Sequence, residues 1–512
     1  MNMDVKKHLV TILTNKIYTF IFFTSIGIVV RALTWAVLPL DWNWDSYHHW
    51  QISYLTLKIG LRQGRMLDLS GSEYYWGMVP HLVQAFLLWA FNTASIAPYR
   101  ALNVLLGGVN VYLLYLIGRD NIYWEVGLYA GLLYALYPIA AVFDAIAMQE
   151  TLALFLVLLS LYLFRVRPFW SGVFLALACQ SRIELWMVSM IFIAGVILVE
   201  RASTKIVPFL VSWLTLTGLF CWIFALQTSN PIYPLYWSLY STFGGWTGSS
   251  RGKPFLELML GWIYLKLRTW PTKPTGLAIL GSMFVVLWVF VDMVRKRWRR
   301  YHIYLFFIAS VVVLGPLLLP YFGKELEYLL LMLRLSIPVA ALGGIILTYQ
   351  LLKAEVPGLH IRFRSLHLEK GLLLLALISH LFVIPAYGYF QSKPEGVFST
   401  ADEGMRYYTG GTIISNYPML NYRLVTKWRV KAADLLGTHY SPASYGVKDP
   451  VEYARWLKEN NVTLWIYRGE EGKEAWSILT VNFPDLLVYK YRKYEMRFYV
   501  INHTSLDRIL SG

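Results

Sequence analysis

The sequence predicts a polytopic, mainly α-helical membrane bundle that carries a small α/β domain at its carboxy-terminal end. Three observations lead there. Of the 512 residues, 57% are hydrophobic and 15% charged, whereas soluble domains run at roughly 45–50% apolar and 25% charged. The apolar residues gather into long runs separated by short basic clusters, the pattern of membrane helices joined by cytoplasmic loops. From about Ser392 to Gly512 the chain turns charged and mixed, with the short alternating patterns of a water-facing domain.

A crossing takes roughly 20 apolar residues, with about 17 as the lower limit. Runs that meet or approach this are 17–38, 100–118, 123–142, 151–165, 169–181, 183–199, 206–226, 275–294, 303–320, 328–350 and 371–389, which predicts about 11 transmembrane helices. No small-residue cleavage site follows the first run, so it reads as a retained helix. Leu82 to Phe91 is apolar but too short, and Pro80 and Pro98 bracket it; it is expected to lie along the membrane surface. Charge placement supports that choice. With Lys6, Lys7 and Lys16 inside, skipping 82–91 puts Arg119, Arg165, Arg167, Arg201, Lys205, the cluster at 295–300 and the group Lys353, Arg362, Arg364 and Lys370 all on the cytoplasmic side. This is what the positive-inside rule requires, and the carboxy terminus then lies outside.

The net charge of +16 would suit nucleic acid, but the basic residues sit in loops between apolar runs and no nucleic-acid-binding motif accompanies them. The lipid bilayer is the expected partner. Cys179 and Cys221 both lie within apolar runs, so there is no disulfide framework or metal knuckle to read. The chain divides into a membrane module, residues 1–391 with long outer loops at 39–99 and 227–274, and an extracytoplasmic α/β domain, residues 392–512. In that domain Thr412 to Ser415 and Val462 to Tyr467 read as strands, Pro450 to Asn460 as a helix, and Leu486 to Tyr491 with Met496 to Ile501 as a hairpin.

This topology gathers the unusual polar residues outside. The stretch Asp41-Trp42-Asn43-Trp44-Asp45-Ser46-Tyr47-His48-His49-Trp50 puts two carboxylates and two imidazoles where the first helix surfaces, an expensive place for ionisable groups. An interfacial aromatic belt accounts for its Trp and Tyr residues equally well. The same side receives Glu73, Asp144, Glu150, Arg182 with Glu184, Arg251 and Lys253, and Arg31 and Arg334 lie near enough to the outer ends of their helices to reach it. Guanidinium forks suit phosphate better than ammonium groups do. Arg182 and Arg334 are therefore the candidate phosphate ligands, with Arg251 and Lys253 in reserve; pairing of Arg182 with Glu184 is the plainer alternative, and Arg31 reads as structural. Asp41, Glu73, Asp144, Glu150, His48 and His49 are the candidates near an acceptor or a metal. A divalent cation (Mg, Mn or Zn) is left open, because the donor types suit one but their spacing matches no fixed ligand motif. His48 and His49, about 100° apart on a helix, do not easily share one ion.

The row Trp44-Asp45-Ser46-Tyr47-His48-His49-Trp50-Gln51-Ile52 resembles a family motif, as do Tyr74-Tyr75-Trp76 through Pro80 and an acidic residue in the second outer loop, Asp144 or Glu150. With Gly172 to Arg182 and Glu184, the row Arg334-Leu335-Ser336-Ile337-Pro338 and the outer tail, the pattern is similar to the integral-membrane glycosyltransferases of the GT-C fold. It is family 39-like, related to the protein mannosyltransferases and aminoarabinose transferases. The resemblance implies a polyprenyl- or dolichyl-phosphate sugar donor, with mannose the commonest sugar. It implies transfer with inversion to a hydroxyl of a lipid-linked glycan, a glycolipid or a protein, and it puts Asp45 in the catalytic place. The family's Arg-Tyr pair is Arg334-Leu335 here, and the Trp-Trp-Asp-Tyr-Gly motif of oligosaccharyltransferases does not occur, so transfer of a preassembled glycan is not expected.

That chemistry also stands on its own terms. A sugar on a lipid phosphate presents its anomeric carbon at the membrane surface with the leaving group installed; the enzyme supplies a carboxylate to take the acceptor's proton and cations to steady the phosphate. The other reading is a transporter or flippase of a lipid-linked substrate. It should place ionisable residues near the bilayer midplane and show paired internal repeats, and the sequence shows neither.

Overall fold

The computed structural model describes residues 15–60, 76–186, 189–190, 192–194, 204–236, 334, 336–353, 367–438, 441–442, 446–469 and 472–511. In chain order the described helices are α1 (Lys16–Val37), α2 (Trp44–Ile59), α3 (Val79–Ala90), α4 (Ala97–Asn121), α5 (Trp124–Ala135), α6 (Pro138–Asp144), α7 (Glu150–Leu163), α8 (Pro168–Cys179), α9 (Ile206–Thr228), α10 (Ser336–Lys353), α11 (Leu368–Gly388) and α12 (Ser392–Gly404). The tail continues through β1 (Thr412–Ser415), α13 (Pro418–Thr426), β2 (Leu435–Leu436), α14 (Pro450–Glu459), β3 (Val462–Arg468), α15 (Lys473–Asn482), β4 (Leu487–Lys493), β5 (Met496–Ile501) and α16 (His503–Ser511). These elements fall into two compact units.

One unit holds the described parts of residues 1–39, 75–80 and 100–388. Its first helix, α1, starts where Asn15 Oδ1 accepts the amide of Ile17 at 2.9 Å, a side-chain cap. Beyond Lys16 at its start, its exposed large side chains are apolar or aromatic (Ile17, Phe20, Ile21, Leu33 and Val37 among them), while Thr19, Thr24, Gly27, Arg31 and Thr34 are buried. Apolar outside and polar inside is the arrangement of a lipid-facing helix. At Gly27 a Cβ would lie 2.7 Å from the Cα of Gly108, so α1 and α4 touch backbone to backbone. α5 and α6 form one broken run bent by 61°, with Pro138 opening α6 where the missing amide costs nothing. Serine hydroxyls tie the next helices together: Ser160 donates to the Ser171 carbonyl at 2.9 Å and Ser212 to the Phe169 carbonyl at 2.7 Å.

Among the described residues, four helical runs are long and apolar enough to cross a membrane, Lys16–Val37, Ala97–Asn121, Ile206–Thr228 and Leu368–Tyr407, or five if the bent α5–α6 pair is one span. The expected crossings 151–165 and 169–181 appear as α7 and α8, of 14 and 12 residues. These are only about 21 and 18 Å long against a hydrocarbon core of about 30 Å. Residues 275–294 and 303–320, and within 183–199 the residues 187–188, 191 and 195–199, lie outside the described residues, so the expected count of eleven is not reached among those described. Helix α3, over the segment expected to lie flat, has 12 residues, about 18 Å, and is too short to cross.

The other unit holds the described parts of residues 40–74, 81–99 and 389–512. Its sheet has the order β2-β1-β3-β5-β4, with β1 parallel to both β2 and β3, and β5 antiparallel to both β3 and β4. Ile414, Tyr453, Leu457, Trp465 and Leu479 pack into its core. The expected strands, helix and hairpin of the tail are all present; β4 and β5 turn through Tyr494 and Glu495, both at positive φ (51° and 62°), as a two-residue type I′ connection needs. Helix α2 from the first loop packs in this unit and is buried without a break from Ser46 to Leu55. It is held by Asn421, whose amide donates to Gln51 Oε1 at 2.9 Å, and by Trp50, whose indole donates to the Ala94 carbonyl at 2.9 Å. The ring of Tyr422 packs edge-on against both Tyr47 and Trp50.

Candidate active site

The candidate catalytic carboxylate sits at a helix start. Asn43 caps α2, its side-chain oxygen accepting the Asp45 amide at 3.0 Å, so Asp45 occupies the first turn, half-buried. A helix amino terminus presents partial positive charge and favours an ionised carboxylate there. Asp41, almost fully buried, accepts the Asn43 amide at 3.4 Å and shapes the turn that brings the chain into α2. His48 and His49 follow on the buried part of α2, their ring centroids 6.4 Å apart at 82°. His49 is joined to His81 of α3 by a hydrogen bond of 3.0 Å between Nδ1 and Nε2. No local signal singles out His81, since an isolated histidine inside an apolar run says nothing about a partner 32 residues earlier. Among the described residues no three His, Cys, Asp or Glu side chains gather to hold a metal ion.

The cationic candidates lie in the helical unit. Arg182, nearly buried, donates through Nη1 to Glu150 Oε1 at 2.7 Å and through Nε and Nη2 to both oxygens of Glu184 at 3.1 and 2.8 Å. The second arginine, Arg334, reaches the same Glu150 oxygen at 3.6 Å. Two guanidinium groups thus converge on one carboxylate placed by the first turn of α7, while Glu150 Oε2 is buried and has no hydrogen-bond partner among the described residues. The pairing of Arg182 with Glu184 is real, yet it occupies one edge of the fork; the Glu150 contact uses another. Such a cluster holds cationic forks in fixed directions and adds one open acceptor, a combination suited to a phosphate beside a hydroxyl.

Asp144 stands elsewhere. It is fully buried at the end of α6, takes Arg31 Nε at 2.7 Å and the Thr151 hydroxyl, and is shut off from solvent. Gly107 makes room for this pair: a Cβ there would lie 2.3 Å from Arg31 Nε. Arg100, outside the set of residues expected at the site, donates to the carbonyls of Leu38 and Ala145 at 2.9 and 2.7 Å and also to that of Pro39, tying the end of α1 to the turn after α6. Its position just after Pro98 was visible, its targets were not. Glu73, Arg251 and Lys253 lie outside the described residues.

No protein-family model matches the sequence, and no curated protein is similar enough to match it. Solved structures match along almost the whole chain, and the fold they share with it is the GT-C fold of membrane glycosyltransferases. ArnT from Cupriavidus metallidurans, solved bound to undecaprenyl phosphate, is similar over 95% of this chain and 98% of its own, with 12% identity and a TM-score of 0.57. The archaeal oligosaccharyltransferase AglB from Archaeoglobus fulgidus, solved with an inhibitory peptide and a dolichol-phosphate, is similar over 94% and 74%, with 10% identity and a TM-score of 0.51. The oligosaccharyltransferase of the same organism in complex with Zn and sulfate is similar over 94% and 72%, with 12% identity and a TM-score of 0.50. At these identities the likeness is one of fold.

Proposed function

We propose that the chain is an inverting glycosyltransferase of the outer membrane face. It moves a sugar, mannose in the first instance, from a dolichyl or polyprenyl phosphate to a hydroxyl of a lipid-linked glycan, a glycolipid or a protein. The observation that carries this reading is the fold shared over nearly the whole chain with ArnT, itself solved with undecaprenyl phosphate bound. In the reaction the acceptor oxygen bonds to the anomeric carbon as its proton passes to Asp45. The bond from that carbon to the phosphate oxygen breaks, and the lipid phosphate departs with the electron pair. A positioned base of this kind contributes about 10²–10⁴-fold. Arg182 and Arg334, with Arg251 and Lys253 of the 227–274 loop, steady the departing phosphate, and Glu150 orients the acceptor through its open oxygen. The assignment requires Asp45 and the arginine cluster to serve one substrate. It also places residues 1–391 as the membrane module and 392–512 outside.

A divalent cation is an addition to the proposal that rests on the donor types of the first loop, Asp41, Asp45, His48 and His49, and on one fold neighbour solved with Zn; among the described residues these four do not gather into a site of three donors. The test is transfer of labelled sugar from a polyprenyl-phosphate donor to a membrane extract by the purified protein. Asp45→Asn should lower transfer by at least about 10²-fold without changing the melting temperature. Unchanged transfer would remove Asp45 from the mechanism. The same assay after chelation, with Mg, Mn or Zn added back, decides whether a metal takes part.

A further inference from the structure

The tail's sheet has a feature that the transfer reaction does not use. From β1 the chain passes through α13 to β2 on one side, and from β3 it passes through α15 toward β4 on the other. The carboxyl ends of the adjacent parallel strands β1 and β3 therefore mark the point where the connections change direction, the place where open sheets with parallel strands bind ligands. A small, partly open cleft lies there, lined by Asn416, Tyr417, Thr438, Trp465, Arg468 and Met496 among others.

Arg468, the last residue of β3, holds its guanidinium 4.1 Å from the Tyr417 ring centre and 5.6 Å from that of Trp44, the residue immediately before Asp45. Contacts of this kind with two aromatic faces hold the guanidinium in place without using its N–H donors. Arg468 Nε is buried and makes no hydrogen bond among the described residues. Its acidic neighbour, Glu495, is 3.9 Å from Nη2 and its side chain is 80% exposed, so that pairing is weak and screened. Asn416 and Thr438 are engaged with each other, the Thr438 amide donating to Asn416 Oδ1 at 2.8 Å. Among the described residues the open chemistry in the cleft is thus donor chemistry carried by one cation, which selects an anion over a neutral sugar.

The geometry points to an anion subsite in this cleft, taking a phosphate or carboxylate carried by the acceptor, with Arg468 as its cation. The word acceptor rests on the glycosyltransferase reading; the anion site does not. The test uses the full chain in detergent micelles and saturation-transfer NMR with methyl phosphate and, separately, acetate as probes. At least one probe should bind, about tenfold or more weakly in Arg468→Gln, with binding retained in Asp45→Asn and Glu495→Gln. A response to methyl phosphate alone indicates a phosphorylated acceptor, and one to acetate alone an acidic sugar. Equal binding of both probes by wild type and a folded Arg468→Gln variant overturns the proposal, as does failure of both probes to bind the wild type. Should that variant not fold, Arg468→Lys is read instead, and wild-type affinity for both probes in it has the same force. Arg468-dependent binding without sugar transfer from any donor would sink the enzyme reading and leave the subsite standing; transfer with Arg468-independent binding would do the reverse.

Discussion

Arg31 and Asp144 are both fully buried and 2.7 Å apart, and the cost of such a pair appears when one member is removed. An uncompensated buried charge is destabilising by about 3–5 kcal/mol. Arg31→Ala should therefore lower the melting temperature in detergent steeply, and Arg31→Met with Asp144→Leu should recover most of the loss. A single variant as stable as the wild type would show that the charge finds water. Asp402 behaves differently. Partial burial works to raise its pKa, but hydrogen bonds from Arg423, Lys427 and Trp428 outweigh this and bring it down to about 2. A depressed carboxylate stabilises the fold above its unfolded value of 3.8 and loses that contribution as pH falls through about 2. Asp402→Asn should thus be less stable than wild type at pH 7, with the gap narrowing below pH 4; a gap independent of pH would contradict the cause given. At this scale Arg182, Arg334 and Glu150 stand out in the sequence by residue type and by their place at the ends of apolar runs, but their pairing does not. Which carboxylate each arginine meets is not written locally, because Arg182 and Glu150 are 32 residues apart and only the packing of α7 joins them.

Helices show what small residues make possible. The α1–α4 crossing depends on Gly27 and Gly108, where even one added carbon meets backbone at 2.7 Å. Gly27→Leu should force the helices apart and destabilise by about 1–3 kcal/mol, read as a lower melting temperature, while Gly218→Leu, which has open space around it, should not. Equal stability of the two variants would deny the close crossing. Long apolar runs such as 17–38 and 206–226 were legible because period and length both exceed what a soluble helix needs. Short elements were less so: β2 has two residues, too few for any alternation, and α13, which opens at Pro418, has only nine, too few for a helical period to stand out. Helix α3 is a case between. Its exposed Leu82, Phe86 and Trp89 recur at helical spacing while His81, Gln84 and Leu88 are buried, an apolar outer face that suits a helix lying in the membrane surface.

At the scale of the whole molecule, the GT-C fold was legible as a pattern of crossings and a tail, while the composition of the two units was not. Chain order alone assigns residues 40–60 to the membrane module, yet α2 packs in the unit of the tail through contacts such as Gln51 with Asn421, whose partners lie 370 residues apart. No local signal carries a contact of that separation. Deleting residues 392–512 should therefore leave Tyr47, Trp50 and Gln51 without Asn421 and Tyr422, and limited proteolysis should cut within residues 40–60 of the truncated protein but not of the full chain. Equal resistance in both would show that α2 needs no support from the tail. The same arrangement bears on how the protein is made. At roughly 5–20 residues per second, a ribosome needs on the order of half a minute to travel from the end of α2 to the segment that shelters it. A premature stop codon just before α13 would then act as an injury to the Asp45 segment, hundreds of codons upstream.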